Sequence, residues 1–388
     1  MSIKGNFMSN EKVCLLALVV FLAGVIPQGA QDKTDRNPMS RAPSPEAISR
    51  ASSRPPVLKI IRQFQDPVLT IRSPNAQGNK YGFEGGRVLR QGDTYHLFTS
   101  EMVGDPFWVQ MKLAHWASKD RMHWERVSTL FTSSGDFTGK DPRAALWAPM
   151  PVYDEKEDHW DLFYVAYRSK PDSKTQFLRN HDGRIWRAIS TVKGQEGIDG
   201  PYRDAGIVLQ PGEDSDAWEG LQGVDSVFPY QVENKWYAFY GSAHTETIPI
   251  SSWQVGLASA PTLAGPWQRC SSLNPLNIEK VFMENPVVTR QKDHTYVAVY
   301  DTDVNFPNAV GYTFSPDGIH WGQGQHLFIQ PKGKAGWPSR VRTPLGLIPE
   351  SNDKFALFYT AYEQPGSPMK FPVAAVGLVI LELEAPAP

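Results

Sequence analysis

From position 57 onward the chain has almost no apolar residues at helical spacing. Short runs rich in aromatic and branched residues recur instead, separated by Gly, Asp and Pro, and such runs read as strands. Five of them share one pattern: Thr94-Tyr95-His96-Leu97-Phe98, Trp160-Asp161-Leu162-Phe163-Tyr164, Lys235-Trp236-Tyr237-Ala238-Phe239-Tyr240, Thr295-Tyr296-Val297-Ala298-Val299-Tyr300 and Lys354-Phe355-Ala356-Leu357-Phe358-Tyr359. Another short run precedes each, at 86–90, 149–153, 226–230, 286–290 and 340–347. A third follows each, at 112–118, 186–190, 255–259, 310–315 and 375–379. Entries to a fourth strand also rhyme. Ser118-Lys119-Asp120-Arg121-Met122-His123-Trp124 matches Ser315-Pro316-Asp317-Gly318-Ile319-His320-Trp321, and Gly200-Pro201-Tyr202 matches Gly265-Pro266-Trp267.

A supersecondary unit repeated five times decides the architecture. The pattern predicts an all-β fold, a five-bladed β-propeller with four-stranded blades around a central channel. The last unit runs out of chain after its third strand, and residues 57–61 are predicted to supply the missing outer strand and close the ring.

That geometry turns the sequence into a map. The innermost strand of a blade starts at one face, and the second strand returns to it. Residues that begin first strands and end second strands therefore crowd around one mouth of the channel. Three blades place a carboxylate at matching first-strand positions: Glu84, Asp225 and Glu284. One acid at a strand end is an ordinary cap; three at equivalent positions imply a converging cluster. Like charges meeting in a narrow funnel raise at least one pKa, which prepares a general acid. Cleavage of a glycosidic bond needs such a set, one protonated carboxyl and one ionised carboxylate opposite. Trp147, Phe83, Trp108 and Trp253 are candidate aromatic platforms at the same mouth, among residues 12% aromatic overall.

The start of the chain reads differently. Lys4 and Lys12 precede an apolar run over 13–26, which then meets Pro27-Gln28-Gly29-Ala30. This predicts an export signal over 1–30, too short for a comfortable membrane span, and a periplasmic or extracellular protein. Residues 31–56 are polar and predicted to form an arm or linker, with a short helix over 45–51 as a candidate dimer contact. Domain 57–388 follows. Loss of Lys4, Lys12 and Glu11 shifts the formal net charge from −2 to −3, which argues against nucleic acid or an anionic membrane as partner. The mature chain would keep Cys270 alone, so a large core rather than a disulfide must supply stability.

The motifs together resemble the five-bladed β-propeller glycoside hydrolases of families 43 and 117, and more distantly families 32 and 68. Trp147-Ala148-Pro149 is similar to the second-blade Trp-Ala-Pro signature of family 43. Val224-Asp225-Ser226-Val227-Phe228 is similar to its third-blade motif, whose Asp tunes the acid. Glu284-Asn285-Pro286 resembles the fourth-blade Glu-x-Pro that carries the general acid. Glu84-Gly85-Gly86-Arg87 stands where those families place an Asp base, and Met150 stands where Asp usually follows Trp-Ala-Pro. The resemblance implies an inverting hydrolase of a plant or algal poly- or oligosaccharide, with Glu284 as acid, Glu84 as base and Asp225 as pKa modulator. Asp66, in Gln65-Asp66-Pro67, is the alternative base.

Further candidates surround these. Trp147, Arg87, Arg168, His244, Asp301 and Arg340 are candidate substrate contacts, and the arginines, with Arg143, would suit an acidic or sulfated sugar. Asp301 and Asp303 flank Thr302 as a candidate structural Ca²⁺ site; no cofactor is otherwise expected. The chain has no zinc-protease His/Glu spacing, phosphate loop or serine nucleophile elbow. A phosphorylase on the related fold and a carbohydrate-binding propeller without chemistry remain the competing readings.

Overall fold

The computed structural model describes residues 55–171, 179–247, 250, 252–302, 308–331, 337–351, 353–363 and 372–384. The leader expected over 1–30, the arm up to residue 54 with its helix at 45–51, and Asp303 lie outside the described residues.

The first strand, β1 (Val57–Gln63), is followed by four hairpin-connected units. These are β2 (Phe83–Gln91), β3 (Thr94–Met102), β4 (Met111–Ser118) and β5 (Glu125–Thr132); β6 (Ala145–Asp154), β7 (His159–Ser169), β8 (Asn180–Ser190) and β9 (Tyr202–Leu209); β10 (Asp225–Val232), β11 (Lys235–Ala243), β12 (Trp253–Ala260) and β13 (Gln268–Arg269); and β14 (Met283–Arg290), β15 (Tyr296–Thr302), β16 (Ala309–Ser315) and β17 (Gln325–Phe328). The chain ends with β18 (Arg340–Pro349), β19 (Lys354–Tyr362) and β20 (Ala374–Glu384). Five four-stranded antiparallel sheets result, so the protein is an all-β five-bladed propeller. Its fifth sheet has the order β1-β20-β19-β18, with Val57 opposite Glu384 and Leu58 opposite Leu383. The first strand of the fold thus completes the last blade, as the sequence predicts. A ring of separate blades closed in this way leaves only short edges.

The core follows from the repeated second-strand pattern. Phe98, Tyr164, Tyr240, Tyr300 and Tyr359, one from each second strand, are fully buried. Most Trp side chains fill space within and between blades: Trp116 and Trp253 are among the largest fully buried residues. The sequence rhyme before the fourth strands has a structural counterpart. Asp120 Oδ1 accepts the backbone N–H groups of Met122 and His123, and Asp317 Oδ1 accepts those of Ile319 and His320, all at 2.8 Å. An Asx turn of this kind is the reason Asp stands at both places.

The inner strands share one irregularity. Each pairing of first and second strands slips by a residue near the channel mouth, after Glu84, Trp147, Asp225 and Glu284 and after Val341. In four blades the next residue is left-handed: Gly85 (φ 61°), Ala148 (49°), Ser226 (52°) and Asn285 (51°). Such bulges bend the strand and re-aim the side chain beside them. Gly86, in the first blade, sits at φ 120° where a Cβ would lie 2.0 Å from the carbonyl oxygen of Phe98. Gly86→Ala is therefore expected to cost ~2–4 kcal/mol of stability, visible as a lower urea midpoint; an unchanged midpoint would show that the bulge relaxes freely.

Candidate active site

The residues just before the bulges face the channel mouth. Glu84 lies on the first blade, Trp147 on the second, Asp225 on the third and Glu284 on the fourth. Arg342 takes the corresponding place on the fifth, one residue past the Val341–Ala361 pair. Asp301, on β15, is the cross-strand partner of Glu284.

Arg342 organises the acids. Its Nε lies 3.5 Å from Glu84 Oε1 and its Nη1 3.4 Å from Asp301 Oδ2, while its guanidinium sits over the Tyr362 ring at 5.8 Å. Burial works against its charge, but Tyr362, Glu84, Asp301 and Glu284 more than offset this and hold it protonated. Glu84, itself buried, also accepts the Thr343 hydroxyl at 2.6 Å. Thr343 is held in turn through its N–H, which donates to Thr360 Oγ1 at 3.1 Å. Tyr362 has its hydroxyl pushed up to about 12, by burial first, with Arg342 pulling the other way.

Glu284 sits between this group and Asp225. Its pKa is raised well above the usual carboxylate range, first by burial and then by the charge of Asp225, with Asp301 and Glu84 adding and Arg342 opposing. Asp225 is raised to about 6 by burial, tempered by polar neighbours that include Ser226, Tyr167 and Gln222. The Tyr167 hydroxyl donates to Asp225 Oδ2 at 3.1 Å and the Gln222 amide at 3.4 Å. Gly241 makes room for it, since a Cβ there would fall 2.3 Å from Asp225 Oδ1. Asp301 is also raised to about 6, by burial first, with Arg342 lowering and Glu84 raising. Four carboxyls thus converge with one guanidinium among them, and the one most disposed to keep its proton at neutral pH is Glu284.

Of the residues singled out in the sequence, Glu84, Asp225, Glu284 and Asp301 come together. Arg340 stands at their edge, where its charge lowers the pKa values of Asp301 and Tyr362. Trp147 packs edge-on against Trp108 at 6.5 Å, and Trp108 stacks on Phe107 at 4.5 Å, giving an aromatic wall. Trp253 is buried beside Asp225, whereas Phe83 is core, edge-on to Trp116 at 5.9 Å. Three expected contacts belong elsewhere. Arg87 is half-buried over the Phe228 ring (4.8 Å) and donates to the Pro151 carbonyl at 2.7 Å; desolvation lowers its pKa to about 10. Arg168 pairs with Asp182 at 2.9 Å, and Arg143 pairs with Asp204 at 2.5 Å. His244 is raised by its hydrogen bond with Glu246 (2.5 Å) and also meets the Ala217 carbonyl at 3.3 Å. Asp66 is exposed on the segment after β1, so geometry favours Glu84 over it as a funnel carboxylate.

Arg342, Thr343 and Gln222 are site residues that the sequence reading does not single out, whereas Tyr167 and Tyr362 are expected at the mouth as second-strand ends. A signal for the first exists: Arg342-Thr343-Pro344 repeats the form of Trp147-Ala148-Pro149 and Glu284-Asn285-Pro286, a channel residue followed by a bulge residue and Pro.

No family model matches the chain, and no curated protein matches its sequence. Solved structures do match in fold. One is a family 117 glycoside hydrolase of the marine bacterium Zobellia galactanivorans, 12% identical over 84% of this chain and 90% of that one, with a TM-score of 0.59. Another is a glycoside hydrolase 15% identical over 86% of this chain and 94% of that one, TM-score 0.55. A third is the family 32 β-fructofuranosidase of Bombyx mori, 14% identical over 81% of this chain and 61% of that one, TM-score 0.52. The fold is therefore one shared with glycoside hydrolases.

Proposed function

We propose that the protein is a glycoside hydrolase that cleaves its substrate with inversion at the channel mouth. The observation that carries this reading is the raised pKa of Glu284 amid Asp225, Asp301 and Glu84. A carboxyl that keeps its proton at neutral pH can donate it to a leaving glycosidic oxygen. Glu84 is the base that activates water, with the Arg342 guanidinium as its counter-charge and the Thr343 hydroxyl fixing its orientation. Asp225, held by Tyr167 and Gln222, keeps Glu284 protonated by its charge. The Trp147–Trp108–Phe107 wall suits the apolar face of a sugar ring. Four carboxyls against Arg340 and Arg342, which already face acids, favour a neutral sugar over the acidic one that the arginine count alone suggests. Export belongs to the same proposal and rests on the basic start and apolar run of residues 1–30.

A reducing-sugar screen over plant and algal polysaccharides, with and without inorganic phosphate, tests the activity. The expected result is release of free sugar that does not depend on phosphate. Sugar phosphate as product would make the protein a phosphorylase, and saturable binding without any product would make it a binding module.

The proton on Glu284 also predicts a pH dependence. A general acid works while protonated, so activity should fall as pH rises through its pKa. Asp301→Asn removes one of the charges that raise this pKa and leaves Arg342 to lower it further. The alkaline limb of kcat/KM should then move to lower pH. A limb that stays in place would mean that another group sets it.

A further inference from the structure

We propose that His96, His115 and Asp199 bind a divalent metal ion of the zinc type, clamping the first blade to the second on the face away from the channel mouth. His96 lies two residues into β3 and His115 in the middle of β4. Asp199 ends a 3-10 turn, Gln195–Asp199, that links β8 to β9. One nitrogen from each ring and one Asp199 oxygen lie within 4.8 Å of one another. His96 Nδ1 and His115 Nε2 are 2.9 Å apart, and His115 Nδ1 is 3.5 Å from Asp199 Oδ1.

Two features favour a metal over a plain ring–ring hydrogen bond. His115 is fully buried, and its Nδ1 has no hydrogen-bond partner, so the ring–ring contact leaves one polar atom unsatisfied. Phe98 stacks on His115 at 4.3 Å and fixes its ring plane. Two imidazoles and a carboxylate match the donor set of zinc, whose ligand bonds of about 2.0–2.2 Å would require shifts of roughly an ångström here. The Asp199 side chain is 58% exposed, which gives the ion a path in and room for a water as fourth ligand. The nearby cluster of Asp154, His159 and Asp161 makes a weaker case, because Arg187 already places a cation 2.5 Å from Asp161 Oδ1.

The test uses the full chain, stripped with chelator and dialysed, then titrated calorimetrically with Zn²⁺ and optically with Co²⁺. One equivalent should bind, with visible ligand-field absorption from Co²⁺ and a higher melting temperature with Zn²⁺. Asp199→Asn alters an exposed side chain and leaves the core intact; it should weaken binding at least about tenfold. His96→Gln should abolish it, and His159→Gln should leave it unchanged. The proposal is overturned by absence of saturable binding, by affinity that survives both Asp199→Asn and His96→Gln, or by loss of binding in His159→Gln.

Discussion

Glu284→Gln should lower the turnover of a substrate with a poor leaving group by ~10²–10⁴-fold while leaving the fold as stable as before or slightly more so. The amide keeps the size of the side chain and removes the transferable proton, and positioned acids and bases contribute about that factor. Stability should not suffer, because the native carboxyl is held where burial and the charges of Asp225, Asp301 and Glu84 all disfavour ionisation. An activated aryl glycoside needs little protonation of its leaving group, so it should lose much less. Equal losses on both substrates would indicate that Glu284 positions the sugar rather than protonating it.

Arg342→Met should produce the second large effect, on stability as well as rate. Glu84, Asp301 and Glu284 would lose the cation that faces them, and removing one partner from a buried charge cluster typically costs ~3–5 kcal/mol. The pH dependence has a definite sign. Burial raises Asp301 to about 6 in the folded protein, above its unfolded value, and Arg342 is the largest of the groups that lower it. A carboxyl raised on folding destabilises the native state above its folded pKa, and that cost disappears as pH falls below the unfolded pKa. The variant should therefore be much weaker than the native protein at pH 8 and recover most of the difference by pH 4–5, measured as urea midpoints. A deficit independent of pH would point to lost packing instead of unpaired charge.

Most of the architecture is readable in the sequence because the propeller repeats its chemistry. The buried aromatics Tyr164, Tyr240, Tyr300 and Tyr359 each close the matching second-strand run, and the paired Asx turns at Asp120 and Asp317 are written in matching residues. The carboxylates are readable for the same reason, as repeat position alone fixes Glu84, Asp225 and Glu284. Arginines are harder to place. Arg87 lies in the middle of β2 and Arg168 near the end of β7, yet their partners, Phe228 with the Pro151 carbonyl and Asp182, come from other strands or another blade. A long cation takes its direction from tertiary contacts that spacing does not encode. Arg342 escapes a reading that looks at the first residue of β18, because it stands two residues into that strand, as Trp147 does in β6. Asp301, which the sequence also offers as a calcium ligand by its acidic neighbour, faces Arg342 beside Glu284.

The first and fourth blades stand two steps apart around the ring, so Glu84 and Glu284 stand on opposite sides of the mouth. Inverting enzymes separate their carboxyls by ~6.5–9.5 Å to admit a water, and retaining enzymes by ~5–5.5 Å. Glu84 is one methylene longer than an Asp, yet its carboxyl is engaged by Arg342 and Thr343, which supports the wider arrangement. Proton NMR of the first product formed, recorded before mutarotation, tests this assignment most directly. The account predicts an anomer opposite in configuration to the substrate; an anomer that matches it would make Glu84 a nucleophile and contradict its role as a base.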